Sequence, residues 1–218
     1  MKYYNLSLDQ DYIGKYSQVD THGLDTEAYI QEINRAGLRD INGLMEFDLE
    51  QGANFTDILS HGGIFFSTGL LISESFKDFL SQFNLFDHKF YSGKLNLNDS
   101  VENIYWLKFD TSDDNLEMID FKRSTFYKEK FMDDLGEITI DNALDFNRKI
   151  KEINEIDDMI VICPKKIVLK ELFLEKGYDM IALPRIITDV LVSQTIKNAM
   201  EKESFKGILC EENIIVTE

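Results

Sequence analysis

One segment occurs twice in this chain, and it constrains the fold more than any other feature. Residues 70–80 read Leu-Leu-Ile-Ser-Glu-Ser-Phe-Lys-Asp-Phe-Leu, and residues 190–200 read Val-Leu-Val-Ser-Gln-Thr-Ile-Lys-Asn-Ala-Met. Leu71 and Leu191, Ser73 and Ser193, and Lys77 and Lys197 are identical pairs, and Ile72/Val192, Glu74/Gln194 and Asp78/Asn198 are conservative ones. Each copy reads as one unit: an apolar strand ends at a serine, the serine hydroxyl caps a helix, and the helix carries an apolar stripe. In the first copy that stripe is Phe76, Phe79, Leu80 and Phe83, with Glu74 placed at the positive end of the helix dipole. A further apolar stretch follows each copy, at 83–90 and at 205–209. Two copies are too few for a solenoid, which needs about three. They fit two related halves packed into one body. The likeness is either a duplication or a common local solution used twice.

The rest of the chain predicts short strands and helices in alternation. Tyr4, Leu6 and Leu8 alternate as in a half-buried strand. Tyr29, Ile30 and Ile33 fit one face of a helix over 26–36, capped by Asp25 or Thr26 and stopped by Gly37. Ile64, Phe65 and Phe66 after Gly62 and Gly63 read as a buried strand. Strand-like stretches follow, one with Phe90, Tyr91, Leu95 and Leu97, one over 104–107 and one with Phe126, Tyr127 and Phe131. Ala143, Phe146, Ile150 and Ile153 recur at helical spacing behind Asp141 as cap. Residues 159–162 suggest a buried strand that Pro164 limits, 166–176 a helix that Gly177 ends, and 179–183 with the run to Val192 extended chain. The expected fold is α+β: a mixed, mostly antiparallel sheet with a few helices packed on it. With 2 prolines and no linker composition, the chain is one domain over 1–218, or two intimately packed halves of about 1–130 and 131–218.

Aromatic residues are abundant, 16 Phe and 9 Tyr, so a core can form and disorder is excluded. Forty acidic residues against 23 basic ones leave a net charge of −17. Such a surface repels phosphate backbones and anionic lipid alike, so neither nucleic acid nor membrane is an expected partner. It suits a basic protein partner reached by electrostatic steering. The start of the chain has no apolar signal segment, and no apolar run approaches the roughly 18 residues a membrane helix needs. A cytoplasmic location is the expectation.

No familiar catalytic pattern stands out. His22, His61 and His88 have no metal-ligand spacing, and no P-loop or dinucleotide fingerprint occurs. His61-Gly62-Gly63 lacks the Gly-x-Ser-x-Gly partner an acyl-transfer site requires, so a tight turn into a strand at Ile64 is the better reading. Cys163 and Cys210 form neither a disulfide framework nor a zinc site. Lys165 and Lys166 beside Cys163 could activate its thiol, but the apolar run before it argues for a buried strand end. No cofactor, metal or catalytic residue is assigned.

The extended start Met1-Lys2-Tyr3-Tyr4 and the element Ile72-Ser73-Glu74-Ser75-Phe76-Lys77-Asp78 resemble immunity-protein family number eleven of bacterial polymorphic toxin systems. The second copy, from Val192 to Asn198, is similar to the same element, and Phe205-Lys206-Gly207-Ile208-Leu209 is similar to that family's exit into a strand. The resemblance implies a compact α+β inhibitor that occludes a cognate toxin domain, with no catalytic residues of its own. A toxin that attacks nucleic acid presents a basic cleft, and a carboxylate-rich surface imitates phosphate there. Asp110, Asp113, Asp114, Glu117 and Asp120 lie in one stretch without Lys or Arg, read as a loop between strands, and they are the candidate partner-binding residues. A small enzyme with an unfamiliar site and an assembly subunit are the alternatives.

Overall fold

A computed structural model describes residues 2–61, 69–183, 185–187, 189–213 and 216–217; for Leu24, Asp113, Asp114 and residues 216–217 it describes the backbone alone. The chain opens with β1 (Tyr3–Leu8), α1 (Gln10–Ile13), β2 (Val19–Thr21), α2 (Gly23–Ala36), β3 (Met45–Leu49) and β4 (Ile58–Leu59). Then come β5 (Gly69–Ser73), α3 (Glu74–Leu80), β6 (His88–Asn96), β7 (Val101–Phe109) and a 3-10 helix over Asp113–Met118. Next are β8 (Thr125–Lys130), β9 (Asp133–Ile138), α4 (Ala143–Ile156), β10 (Val161–Val168) and α5 (Glu171–Leu174). The chain closes with β11 (Met180–Ala182), β12 (Val190–Ser193), α6 (Gln194–Met200), β13 (Ile208–Glu212) and β14 (Val216–Thr217). The fold is α+β with mostly antiparallel pairing, as the pattern implied, and the strands divide among three sheets. Their orders are β2-β3-β6-β7-β5-β4, β11-β12-β1-β13 and β14-β10-β8-β9. Only β3–β6 and β10–β14 run parallel among the described strands.

The repeated segment is the visible part of a larger unit built twice. In the first copy β4, β5, β7 and β6 lie side by side, all antiparallel, with α3 leaving β5. In the second, β11, β12, β1 and β13 lie in the same order, with α6 leaving β12. The registers agree: Ile72 pairs Tyr105 and Val192 pairs Tyr4, while Ser73 pairs Ile104 and Ser193 pairs Tyr3. Strand β7 follows β6 directly, but its counterpart β1 comes from the start of the chain. The caps agree as well, with Ser73 at φ −67°, ψ 162° and Ser193 at φ −69°, ψ 163°. Each serine hydroxyl accepts from the helix, Phe76 N–H at 3.1 Å and Ile196 N–H at 3.3 Å.

Two aspartates bind the copies together reciprocally. Asp57 accepts from the Ser73 hydroxyl at 2.6 Å and from the backbone N–H of Lys206, behind α6, at 2.8 Å. Asp179 accepts from the Ser193 hydroxyl at 2.9 Å and from the N–H of Asn84, behind α3, at 3.2 Å. Their own backbones answer in kind: Asp57 N–H donates to Lys206 C=O at 3.1 Å and Asp179 N–H to Asn84 C=O at 2.6 Å. Each aspartate thus supports the cap of one copy and holds the exit of the other. Phe205, on the second exit, packs against Phe76 and Phe79 of the first helix at ring distances of 5.0 and 4.9 Å.

Strand alternation gives the six-stranded sheet two apolar faces. Phe47, Leu71, Leu95, Ile104 and Trp106 lie under Ile30 and Ile33 of α2. Ile72, Leu107 and Phe109 join the larger core shared with β1, α3, α6, β12 and α4. Full burial of each such side chain is worth about 1.5–3 kcal/mol relative to exposure. Lys108 is buried as well. Its ammonium donates to the carbonyls of Ile33 at 2.6 Å and Gly37 at 3.0 Å, so it caps the C-terminus of α2. Burial holds its pKa below the ordinary lysine value.

Several local expectations need correction. Helix α2 starts at Gly23, and neither Asp25 nor Thr26 caps it; Thr26 is buried and accepts from Glu46 N–H at 3.1 Å, tying the helix to β3. Asn142, not Asp141, caps α4, accepting from Asp145 N–H at 2.9 Å. Strand β10 passes through Pro164 because a register shift between Pro164 and Lys166 absorbs the missing donor. Its apolar start faces solvent, Met159 and Val161 being half exposed, and Ile167 and Val168 are its buried part. Within 166–176 only Glu171–Leu174 is helical, since Ile167 and Val168 are held in pairing. Phe131 leaves β8 for the turn that follows. The strand expected at 64–66 and the turn at Gly62-Gly63 lie outside the described residues.

Candidate partner-binding surface

The acidic stretch is not a bare loop. Its 3-10 helix buries Asn115, Leu116 and Met118, and Ile119 follows them into the core. Leu116, Met118 and Ile119 supply the apolar side of this segment, a signal the acid count obscured. Asp110 is the N-terminal anchor: its carboxylate accepts from the Ser112 hydroxyl at 2.6 Å and its carbonyl from the Asn115 amide at 2.7 Å. Glu117 is exposed and pairs with Lys170 at 3.3 Å. Asp120 accepts from Arg123 N–H at 3.3 Å and closes the following turn. Asp110 and Asp120 therefore shape the segment, and Glu117 is the carboxylate among the three that faces outward. Side chains of Asp113 and Asp114 lie outside the description.

The repeat brings together two clusters that sequence reading missed. Tyr105 donates to the Glu74 carboxylate at 3.1 Å, and the Lys77 ammonium lies 4.5 Å from the Tyr105 ring centre. In the second copy Tyr4 donates to the Gln194 side chain, and Lys197 lies 4.9 Å from the Tyr4 ring. Each lysine folds back on its tyrosine, a cation–π contact that fastens helix to strand. Asn103 and Tyr105 hold the Glu74 carboxyl below its ordinary pKa by hydrogen bonding. Burial, then Glu74, pushes the Tyr105 phenol up. The identity of Lys77 with Lys197 was the available signal; the tyrosines carried none, because they come from strands at different places in the chain.

The histidines do not converge on one another in any contact described. His22 bonds the Asp48 carboxylate at 2.7 Å, which raises the His22 pKa, and Asn96 donates to the other Asp48 oxygen at 2.9 Å. His88 bonds the Phe86 carbonyl at 2.9 Å, and His61 packs edge-on against Phe47 at 6.2 Å. Cys163 is half buried and paired across from Tyr127. Burial raises its pKa, and Lys165 turns away to Asp134 at 3.0 Å. Burial pushes Cys210 up to about 11. Among the described residues no group of three His, Cys, Asp or Glu is arranged around a common point, and no helix is long and apolar enough to cross a membrane.

The surface falls into a few shallow clefts. One of about 310 Å³ lies between β1 and the β4–β5 edge, walled by Leu6, Leu8, Ile58 and Leu70, with His61 and Asp189 at its margin. Another, of about 400 Å³, runs between the start of β8 and the end of β9. A third kind of feature projects rather than recedes: the β8–β9 turn carries Phe131 and Met132, 74 % and 93 % exposed. Charge is likewise directed outward. Of the described carboxylates only Asp145 is buried. No family model matches this chain, and no curated protein matches it.

Proposed function

We propose that this chain is an immunity-type binding protein that neutralises a basic toxin domain by occluding it. The observation that carries the reading is the outward charge: a net of −17 on a body that keeps all but one of its described carboxylates at the surface. Such a field accelerates encounter with a basic partner and suppresses acidic competitors. The body behind it is tied by the reciprocal aspartates, so it meets a partner with little rearrangement. Glu117, the exposed carboxylate of the acidic segment, takes the role of phosphate against the partner's basic cleft, joined by Asp113 and Asp114 of the same segment. Asp110 and Asp120 keep that segment in shape. The location that goes with this role is the cytoplasm, where a toxin acting on nucleic acid must be stopped.

The test is to mix the protein with the toxin domain encoded beside it and follow heat and rate. A tight complex is expected whose association rate falls steeply as salt rises. The triple variant Asp113→Asn/Asp114→Asn/Glu117→Gln should slow association and flatten that dependence. No measurable heat with the wild-type protein rejects the reading, and an unchanged rate for the variant removes this segment from the interface.

A further inference from the structure

Strand β8 ends in a two-residue turn with an unusual composition. Phe131 has φ +51° and Met132 φ +73°, the left-handed region that asparagine and glycine occupy readily and large side chains avoid. The hairpin thus departs from the residues its own geometry favours. What it gains is the projection of two large apolar side chains into solvent. Lys130 joins this tip to the end of α4: its ammonium pairs with Asp157 and lies 5.7 Å from the Phe131 ring. Ile156 and Met159, which flank Asp157, are 84 % and 50 % exposed. The Lys130–Asp157 ion pair thus links the exposed Phe131 and Met132 of the turn to the exposed Ile156 and Met159 on either side of Asp157. Exposed clusters of this kind, rimmed by charge, mark interaction sites, and aromatic and methionine side chains are the preferred anchors of such sites.

The rim selects the occupant. Asp133, Glu155 and Asp158 are exposed beside the four apolar residues. A second copy of this chain would set these acids against their own kind. A partner strand added to the β9 edge is also disfavoured. Gly136 at φ +101° kinks that edge, and the Asp134 side chain already takes the Gly136 N–H at 2.7 Å. A membrane surface carrying anionic lipid is repelled by the same rim. We infer that the patch at Phe131, Met132, Ile156 and Met159 is the apolar anchor by which this protein holds a basic protein, seated in a pocket ringed by Lys or Arg. The inference rests on the binding reading above and adds a division of labour to it. The surface charge sets how fast the partner arrives, and the hairpin tip sets how slowly it leaves.

Two measurements test this. First, p-benzoylphenylalanine is placed at 131, at 156 and, as a control, at 172, where Leu172 is equally exposed on a different element, and the full-length protein is irradiated in its own cells. A single cross-linked protein with a pI above about 9 is expected at 131 and 156 and not at 172. Cross-linking to a second copy, to lipid, to the same proteins at all three positions, or to nothing at 131 overturns the inference. Second, Phe131→Asn/Met132→Gly supplies the residues this turn prefers, so the fold is retained or strengthened. Against the partner so identified, dissociation should accelerate on the order of thirtyfold with association little changed. Equal dissociation rates overturn the anchor. A basic partner that is not a toxin leaves the anchor standing and removes the immunity reading. A toxin partner released no faster by the variant does the reverse.

Discussion

Replacing Asp57 with alanine removes three hydrogen bonds from one carboxylate: the Ser73 hydroxyl at 2.6 Å, the Ser75 hydroxyl at 2.8 Å and the Lys206 N–H at 2.8 Å. Hydrogen bonds to a charged acceptor contribute about 1.5–3 kcal/mol each, and water replaces part of that at a half-buried site, so the loss should be about 3 kcal/mol. For a chain of this size that is a fall in melting temperature of roughly 6–12 °C. The position of the damage matters more than its size. Two of the lost bonds lie near 57 in the chain, but the third holds the exit of α6. Urea titration gives the total, and native-state hydrogen exchange locates it. Lys206 and its neighbours in β13 should lose protection along with the cap at Ser73. Asp179→Ala should do the converse, loosening Ser193 together with Asn84, at about 2 kcal/mol for its two bonds. If Asp57→Ala exposes residues 73–76 and leaves Lys206 fully protected, the aspartates are local caps. The claim that they join the two copies would then be wrong.

Acid stability should depend on Asp145. Its carboxylate accepts the Asp141 N–H at 3.0 Å and pairs with Lys149 and Arg148, which lowers its pKa from 3.8 to about 2. A depressed folded-state value means the unfolded chain takes up the proton first as pH falls. The stabilisation is complete above pH 3.8 and disappears on the way to about pH 2. The gap between wild-type and Asp145→Asn urea midpoints should therefore be widest above pH 4 and close towards pH 2; a gap independent of pH would refute the assignment. Gly69→Ala should be severely destabilising. Its φ is +144°, and a Cβ there would lie 2.0 Å from the Leu107 carbonyl oxygen, backbone that cannot turn aside. A loss of about 3 kcal/mol or more is expected by urea titration, and a loss below 1 kcal/mol would mean β5 and β7 can part without consequence.

Much of this architecture can be read along the chain, and the reason is local chemistry. A serine followed by a helical apolar stripe caps a helix wherever it occurs, so Ser73 and Ser193 took the predicted role. Gly37 stopped α2 and Gly177 ended the turn after α5, both at positive φ. The acidic excess and the poverty of metal-binding patterns are properties of composition. Errors arose where a residue's role depends on something far away. Asp141, Asp25 and Thr26 are good caps by type, but neighbouring strands and Asn142 decided which position is used. The exposure of Met159 and Val161 was invisible too, because apolarity alone does not say which side of a sheet is covered.

By itself, then, the sequence determined the two strand-cap-helix units, the α+β class and the sign of the surface field, since each follows from side chains acting on their nearest neighbours or on water. Tertiary structure alone decided that the second unit is completed by the first strand of the chain, that Tyr4 therefore matches Tyr105, and that Asp57 and Asp179 reach across to each other's copy. It also decided that Phe131 and Met132 face water. These are pairings between residues far apart in the chain, and only packing energy, summed over the whole core, chooses among them.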